Sequence, residues 1–528
     1  NLMLAFARIF DGWTEMRTKN IISRLLKFRP DIVKINDGEH IKEIKLAEIK
    51  VGDLVVVETG ERVPIDGVII SGQASIDEST LTGESLPITK TEKQQVFSST
   101  LVVTGSLLVK TEKIGTDSTL EKIIKLVSEA SRQKSPTEKI ADKFTGWYIF
   151  IMLILALSTY IVTSNLSLVL AVLLVVCADD VAVAIPLAFT SAIATAAKRG
   201  IIIKGSEVLE KLPKIKYFLT DKTGTLTRGR PAISQIKIVE IIKKEKFLEL
   251  LGSAAISSHH PVDEAIVEYL NKNNVHIDAP EKFNEIPGEG VMAEIDHLKI
   301  IAGRLELLKK HQVDVSRVGV YEGLGMTAVA IDGKLAGLVL YADEIRPYAK
   351  ELIIETKKLG VKEWIMLTGD NEQVAKRIAK SVGIENYKHD LKPEEKLEII
   401  KEYKTKKGLI AMVGDGVNDA ASISLADVSF AMGAIGSDTS IEAADIALMN
   451  DKLERIPESM ILAKKTNQIV KQCFATWGLT NVVGLFLVVT GHLDPVGAAA
   501  FNFVTDFIPI FNALRVNTLD ISVYNNKV

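Results

Sequence analysis

Two pairs of long apolar segments bracket two large polar blocks, and that alternation leaves this chain few architectures. The segments run over Phe144–Thr163, Leu166–Ser191, Cys473–Thr490 and Val496–Leu514. Each is near the length of about 20 residues that one helical crossing of a bilayer needs. Only Ser164-Asn165 separates the first two, and Gly491 to Pro495 the last two, so each pair reads as a membrane hairpin. Lys139, Lys143, Lys198, Arg199, Lys464, Lys465, Lys471 and Arg515 flank the outer ends. Basic flanks mark the cytoplasmic side, which puts both polar blocks, about 29–138 and 198–465, in the cytoplasm.

Composition agrees. A chain of 528 residues is long enough for several domains. Its mean hydropathy of +0.19 is high for one with 25% charged residues, because the excess is confined to the apolar blocks. A net charge of -3 offers nothing to a nucleic acid. The two cysteines, Cys177 and Cys473, form neither a disulfide framework nor a CxxC pair, and the eight histidines make no metal-binding tail. The opening apolar stretch, Leu2 to Phe10 after Asn1, lacks a signal-peptide layout. It reads as the end of a membrane helix whose predecessors belong to a longer protein.

The first polar block starts with β-type runs, Ile32–Ile35, Leu54–Glu58 and Gly67–Ile70, split by Gly and Asp turns, and turns helical from about Leu120. The second carries three strand-like runs, Tyr217–Thr220, Ile365–Leu367 and Leu409–Val413. Helical stretches between them, such as Tyr348–Leu359 and Gln373–Val382, argue a doubly wound α/β sheet. A separate insert, about 232–340, must fill the long gap after the first strand.

Each of the three strands ends in a loop suited to phosphate. The apolar run Ile215–Leu219 leads into Asp221-Lys222-Thr223-Gly224-Thr225-Leu226-Thr227. A carboxylate at such a strand end, before a lysine and a Thr/Gly turn, suits a phosphoryl acceptor that phosphate and Mg2+ can approach closely. Thr368-Gly369-Asp370 and Gly414-Asp415-Gly416-Val417-Asn418-Asp419 follow the other two strands. Phosphoryl transfer needs positioning and charge neutralisation. Thr368 and Gly369 supply donors for phosphoryl oxygens, Asp415 joins Asp221 and Thr223 at Mg2+, and Asp370, Asn418 and Asp419 support the site. The heptad resembles the signature of the P-type cation-transporting ATPases, and Lys396 resembles that family's phosphate-contacting lysine.

The resemblance extends over about residues 10 to 515. Thr82-Gly83-Glu84-Ser85 resembles the loop that reaches the phosphoenzyme in these pumps, where Glu84 would orient or activate the attacking water. That loop argues against a soluble aspartyl phosphatase of the same fold. Pro64-Ile65-Asp66-Gly67 and Asp77-Glu78-Ser79-Thr80 match the family upstream. In the insert, Ser258-His259-His260-Pro261 and Gly288-Glu289-Gly290 resemble elements of the heavy-metal branch. The likeness implies that His260, Gly288, Gly290 and Gly303 line an adenine pocket for ATP. Ala255 stands where that branch usually has glutamate, and Arg304 where it has asparagine. Asp343-Glu344-Ile345-Arg346-Pro347 resembles the hinge strand leading back from the insert.

In that branch the second of these membrane helices carries Cys-Pro-Cys or a near variant. Here the aligned stretch is Cys177-Ala178-Asp179-Asp180. Two carboxylates within an apolar span point to function. Asn502, Thr505 and Asp506 share a helix face, and Asn481 lies on the preceding helix. Cys177, Asp179, Asp180, Asn481, Asn502 and Asp506 thus form a mostly oxygen ligand set. It disfavours soft Cu(I) and suits a borderline or harder cation.

The expected fold is multidomain: an α-helical membrane domain with a HAD-like doubly wound α/β phosphorylation domain, a β-rich actuator and an α+β nucleotide-binding insert. The expected order is a membrane-exit helix over 1–28, the actuator over 29–138, a membrane hairpin over 139–197, the phosphorylation domain over 198–231 and 341–465, the insert over 232–340, and a hairpin with its tail over 466–528. The expected function is an ATP-driven divalent-metal pump of the plasma membrane with Mg2+ as cofactor and the lipid bilayer and the transported cation as partners. An uncoupled or regulatory relative and an aspartyl phosphatase are the alternatives. Neither the oligomeric state nor the particular cation is legible.

Overall fold

The computed structural model describes residues 30, 32–36, 40–82, 86–130, 133–176, 179–239, 242–319, 321, 323–415, 419–433, 438–450 and 452–522. The expected membrane-exit helix over 1–28 lies outside them. The chain forms two compact units, Asn1–Lys216 with Lys407–Met412 and Gly416–Val528, and Tyr217–Lys406 with Val413–Asp415.

In the first unit, a mainly antiparallel sheet has the strand order Ile41–Lys45, Ile32–Asn36, Leu54–Glu58, Leu101–Lys113, Asp66–Asp77 and Ile88–Lys90, with Gln95–Val96 also on Asp66–Asp77. Alternation places Val55, Val57, Ile69, Ile76, Val102, Leu107 and Val109 in one core. Asp66, at the start of its strand, is buried and accepts from the amides of Ser98 (2.8 Å) and Thr119 (2.6 Å). It thereby ties the sheet to the Thr119–Ala130 helix. At Gly67 a Cβ would fall 2.1 Å from the Lys110 carbonyl oxygen, so only glycine fits.

The same unit holds the apolar helices. Pro136–Thr163 begins with a capping box between Ser135 and Glu138 and with proline at its first position. Its apolar residues Phe150, Leu153, Ile154, Leu157 and Ile161 are exposed, as lipid-facing residues are. The segment Leu166–Ser191, expected as one span, is instead two helices, Leu166–Val175 and Asp179–Ala197. The first helix ends before Val176, whose backbone is extended and whose side chain is buried, and non-helical backbone at membrane depth is tolerated where protein encloses it. Among the described residues, three helical segments are long and apolar enough to cross a membrane: Pro136–Thr163, Arg455–Val489 and Pro495–Thr518. The last is interrupted at Asp506, three residues before Pro509, which has no N–H to give the Thr505 carbonyl. Ala184, Ala188, Ala192 and Ala196 form a fully buried stripe on the Asp179–Ala197 helix. Small residues at i, i+4 let it pack closely against Arg455–Val489 and Phe507–Leu514.

The second unit is built on the parallel strands Asn386–Lys388, Glu363–Leu367 and Tyr217–Asp221. Phe218 and Trp364 stack beneath them at 4.7 Å. The paired strands Thr227–Ile238 and Lys334–Ile345 lead out to, and back from, a six-stranded antiparallel sheet. Helices Lys244–Ala255 and Pro261–Lys272 cover one face of that sheet through Phe247, Leu251, Ile266 and Leu270. The strand Ile410–Gly414 straddles the two units.

Candidate functional site

Phe218, Leu219 and Thr220 are fully buried, so the Tyr217–Asp221 strand is anchored by its apolar residues and delivers Asp221 at its end. The Asp221 carboxylate is itself buried. Lys396 Nζ lies 2.5 Å from Oδ1, and the Thr223 amide donates to Oδ2 at 2.9 Å. Burial pushes the carboxyl above its ordinary range; Lys396 opposes that shift and the charge of Asp415 adds to it. The following turn requires Gly224, which has φ 73° and whose Cβ would meet the Asp415 Cβ at 3.2 Å.

Lys222 points elsewhere. Its ammonium is 2.6 Å from Asp343 Oδ2 and 2.6 Å from Asp370 Oδ2, binding the turn to the returning strand and to the Thr368–Asp370 loop. Burial disfavours its charge, but the two carboxylates outweigh that and hold its pKa above the ordinary lysine value. Arg346 donates from Nη2 to the Gly224 carbonyl at 2.8 Å and from its amide to Leu226 at 2.9 Å. Asp343 and Arg346 therefore shape the Asp221 turn, although sequence reasoning saw in them only a hinge. An Asp and an Arg three apart, ending an apolar strand, were the available signal.

Leu367 is in register with Asp221, which brings Thr368 and Gly369 alongside. Thr368 is buried, and its Oγ1 accepts from the Asp370 amide at 3.1 Å. Asp419 is buried at the start of the Ala420–Leu425 helix in the first unit. Asn418 and Glu84 lie outside the described residues. Thr82, opening the Glu84 loop, has its carbonyl 3.2 Å from Asn450 Nδ2.

The Asp221 turn fits a hard cation. Asp415 approaches Gly224 closely and raises Asp221 by its charge, so two carboxylates converge where Mg2+ would relieve their repulsion.

In the insert, His260, Gly288, Gly290 and Gly303 line one cavity of about 200 Å³, with Asp263, Arg304 and Tyr341. Gly290 and Gly303 are cross-strand partners, and a Cβ on either would come within 2.3 Å of backbone oxygen. Bare backbone walls the cavity there. His260 caps the Pro261–Lys272 helix, its Nδ1 accepting from the Val262 amide at 3.3 Å.

The membrane candidates are only partly gathered. Asn502 is buried and donates to Asp506 Oδ2 at 3.3 Å. Asn481 accepts from the Tyr148 hydroxyl at 3.2 Å and donates to the Trp477 carbonyl. Asp179 and Asp180 open their helix, and Cys177 lies outside the described residues.

A doubly wound domain that presents a buried carboxylate at a strand end and carries a separate insert, in a chain with membrane-length helices, is the layout of a membrane ATPase working through an aspartyl phosphate. Comparison makes the class specific. Residues 27–128 match the P-type ATPase actuator domain family, and residues 215–427 match the haloacid dehalogenase-like hydrolases. A probable cadmium-transporting ATPase of Staphylococcus aureus (strain MRSA252) is 33% identical over 98% of this chain and 74% of its own length. A cadmium, zinc and cobalt-transporting ATPase of Bacillus subtilis (strain 168) is 34% identical over 98% of this chain and 75% of its own. A solved zinc-transporting PIB-type ATPase in its E2.Pi state superposes with a TM-score of 0.63 at 27% identity, covering 94% of this chain and 83% of that one. The chain belongs to the P-type cation-transporting ATPases, in the branch that moves heavy metals. It is an integral membrane ATP hydrolase coupled to cation translocation.

Proposed function

We propose that this chain exports or imports a borderline divalent heavy-metal cation across the plasma membrane, driven by phosphorylation of Asp221. The observation that carries the catalytic assignment is the Asp221 carboxylate, buried at a strand end and held by Lys396 on one oxygen and the Thr223 amide on the other. An Asp221 oxygen attacks the γ-phosphorus of ATP; the new O–P bond forms as the bond to the ADP oxygen breaks, and ADP leaves. Lys396, Thr368 and Gly369 neutralise and orient the phosphoryl oxygens. Mg2+, held by Asp221, Thr223 and Asp415 when bound, supplies further charge neutralisation. Asp370, Asn418 and Asp419 support these groups, while Lys222 fixes the turn through Asp343 and Asp370. Glu84 then directs water at phosphorus, releasing phosphate and regenerating the Asp221 carboxylate. ATP binds through His260, Gly288, Gly290 and Gly303.

Asp179, Asp180, Asn502 and Asp506 supply oxygen ligands and Cys177 one thiolate, with Asn481 a further candidate. That mixture favours a borderline divalent ion over Cu(I). Relatives of like identity are named for cadmium, zinc and cobalt and for copper, so the ligand set and not the relatives carries this preference. The test is the ATPase rate in lipid across Zn2+, Cd2+, Co2+, Mn2+, Cu+ and Ca2+, with Asp180→Ala in parallel. Stimulation by one divalent metal, lost in the variant, supports the reading. Stimulation by Cu+ alone, or hydrolysis indifferent to every cation, overturns it.

A further inference from the structure

Asp263 is 7% exposed, lines the insert cavity with His260 and Tyr341, and sits in the first turn of the Pro261–Lys272 helix. A first-turn acid ordinarily caps its helix, yet that task is already met here. His260 Nδ1 takes the Val262 amide, and the Ser258 hydroxyl takes the His260 amide at 3.1 Å. The same hydroxyl donates to Asp263 Oδ2 at 2.7 Å. No described residue donates to Oδ1. Oδ1 is not sealed from the cavity, and burial of the rest of the carboxyl pushes its pKa up.

We infer that Asp263 reads the purine: its Oδ1 accepts a hydrogen bond from the 6-amino group of adenine and so selects ATP over GTP. The inference rests on the reading of this cavity as the nucleotide site. Guanine carries a carbonyl where adenine carries the amine, and two acceptors repel. Guanine's own adjacent N–H groups call for both oxygens of a carboxylate, whereas Ser258 occupies one here. The Tyr341 ring, lying so close over Gly325 that a Cβ there would come within 2.3 Å of it, offers a flat wall beside the acceptor.

The experiment measures kcat/KM for ATP and for GTP with the whole protein in lipid, for the parent, Asp263→Asn, Ser258→Ala and His260→Ala. Asp263→Asn is expected to lower the ATP/GTP ratio about tenfold or more, since its amide can donate to the guanine carbonyl. Ser258→Ala, which frees the carboxylate to rotate, lowers it by less and serves if Asp263→Asn fails to fold. A ratio within about twofold of the parent in every folded variant at Asp263 and Ser258, or a parent preference for GTP, overturns the inference. His260→Ala separates the two readings. If it leaves the KM for ATP unchanged, the cavity is not the nucleotide site. If it raises that KM while the ratio ignores Asp263, only the role of Asp263 falls.

Discussion

The Lys396 ammonium and the Asp221 carboxylate meet at 2.5 Å, on the oxygen not held by the Thr223 amide. Both oxygens of the buried acid are thus fixed before substrate arrives, which lowers the reorganisation needed in the transition state. The pair also offsets part of the burial that raises the Asp221 pKa.

Replacing Asp221 by Asn should abolish covalent phosphate uptake from ATP, and Lys396→Met should slow it by about 100-fold, the typical effect of removing one charge-stabilising donor. Acid-stable incorporation of labelled γ-phosphate reads both. Near-parent incorporation in Lys396→Met would remove Lys396 from the site.

Glu84→Gln should leave phosphorylation intact and slow hydrolysis of the phosphoenzyme by about 100-fold or more, as loss of a general base does. The check is a chase with unlabelled ATP. Decay at the parent rate would assign the water to another residue.

Lys222→Met would leave Asp343 and Asp370 facing each other without their shared cation. Removing one member of a buried ionic cluster costs about 3 kcal/mol, softened here because Asp370 is partly exposed. We expect a lowered thermal midpoint in the whole protein, partly restored in Lys222→Met/Asp343→Asn. If the double variant is less stable than the single one, the account of Lys222 as a neutralising bridge is wrong.

Burial raises the pKa of Asp263, opposed by the Ser258 hydrogen bond. A folded-state pKa above the unfolded one means the native protein holds the proton more tightly. The associated stability is complete below the unfolded value and is lost as pH rises through the raised one. Asp263→Asn, which cannot ionise, should therefore raise the thermal midpoint more at pH 7 than at pH 4. An equal shift at both pH values would show that burial of the charge is not the cause. Such a gain, alongside weakened ATP selectivity, would mark Asp263 as a site where stability is sacrificed for recognition.

Much of this protein was legible because it is local. The apolar run before Asp221 makes a buried strand, and Gly224 makes the turn. Alternation in Leu54–Glu58 lays down one face of a sheet. The strands bearing Leu367 and Asp221 each announced themselves by a hydrophobic run ending in a polar loop, which needs no knowledge of neighbours.

What the tertiary structure decided was which distant groups meet. Lys222 follows Asp221 in the chain, yet it serves Asp343 and Asp370. Asn481 meets the Tyr148 hydroxyl, a partner 333 residues away that no local pattern announces. Leu166–Ser191 read as one helix because hydropathy registers composition and not backbone continuity, which the packing of neighbouring helices decides. Asp263 stands in the first turn of its helix, and only the folded insert buries it beside the cavity. Sequence determines the segments and the chemistry they carry, because propensity, turn geometry and hydrophobic periodicity act over a few residues. Burial, charge pairing and the shape of a cavity depend on residues far apart in the chain, so only the folded structure decides them.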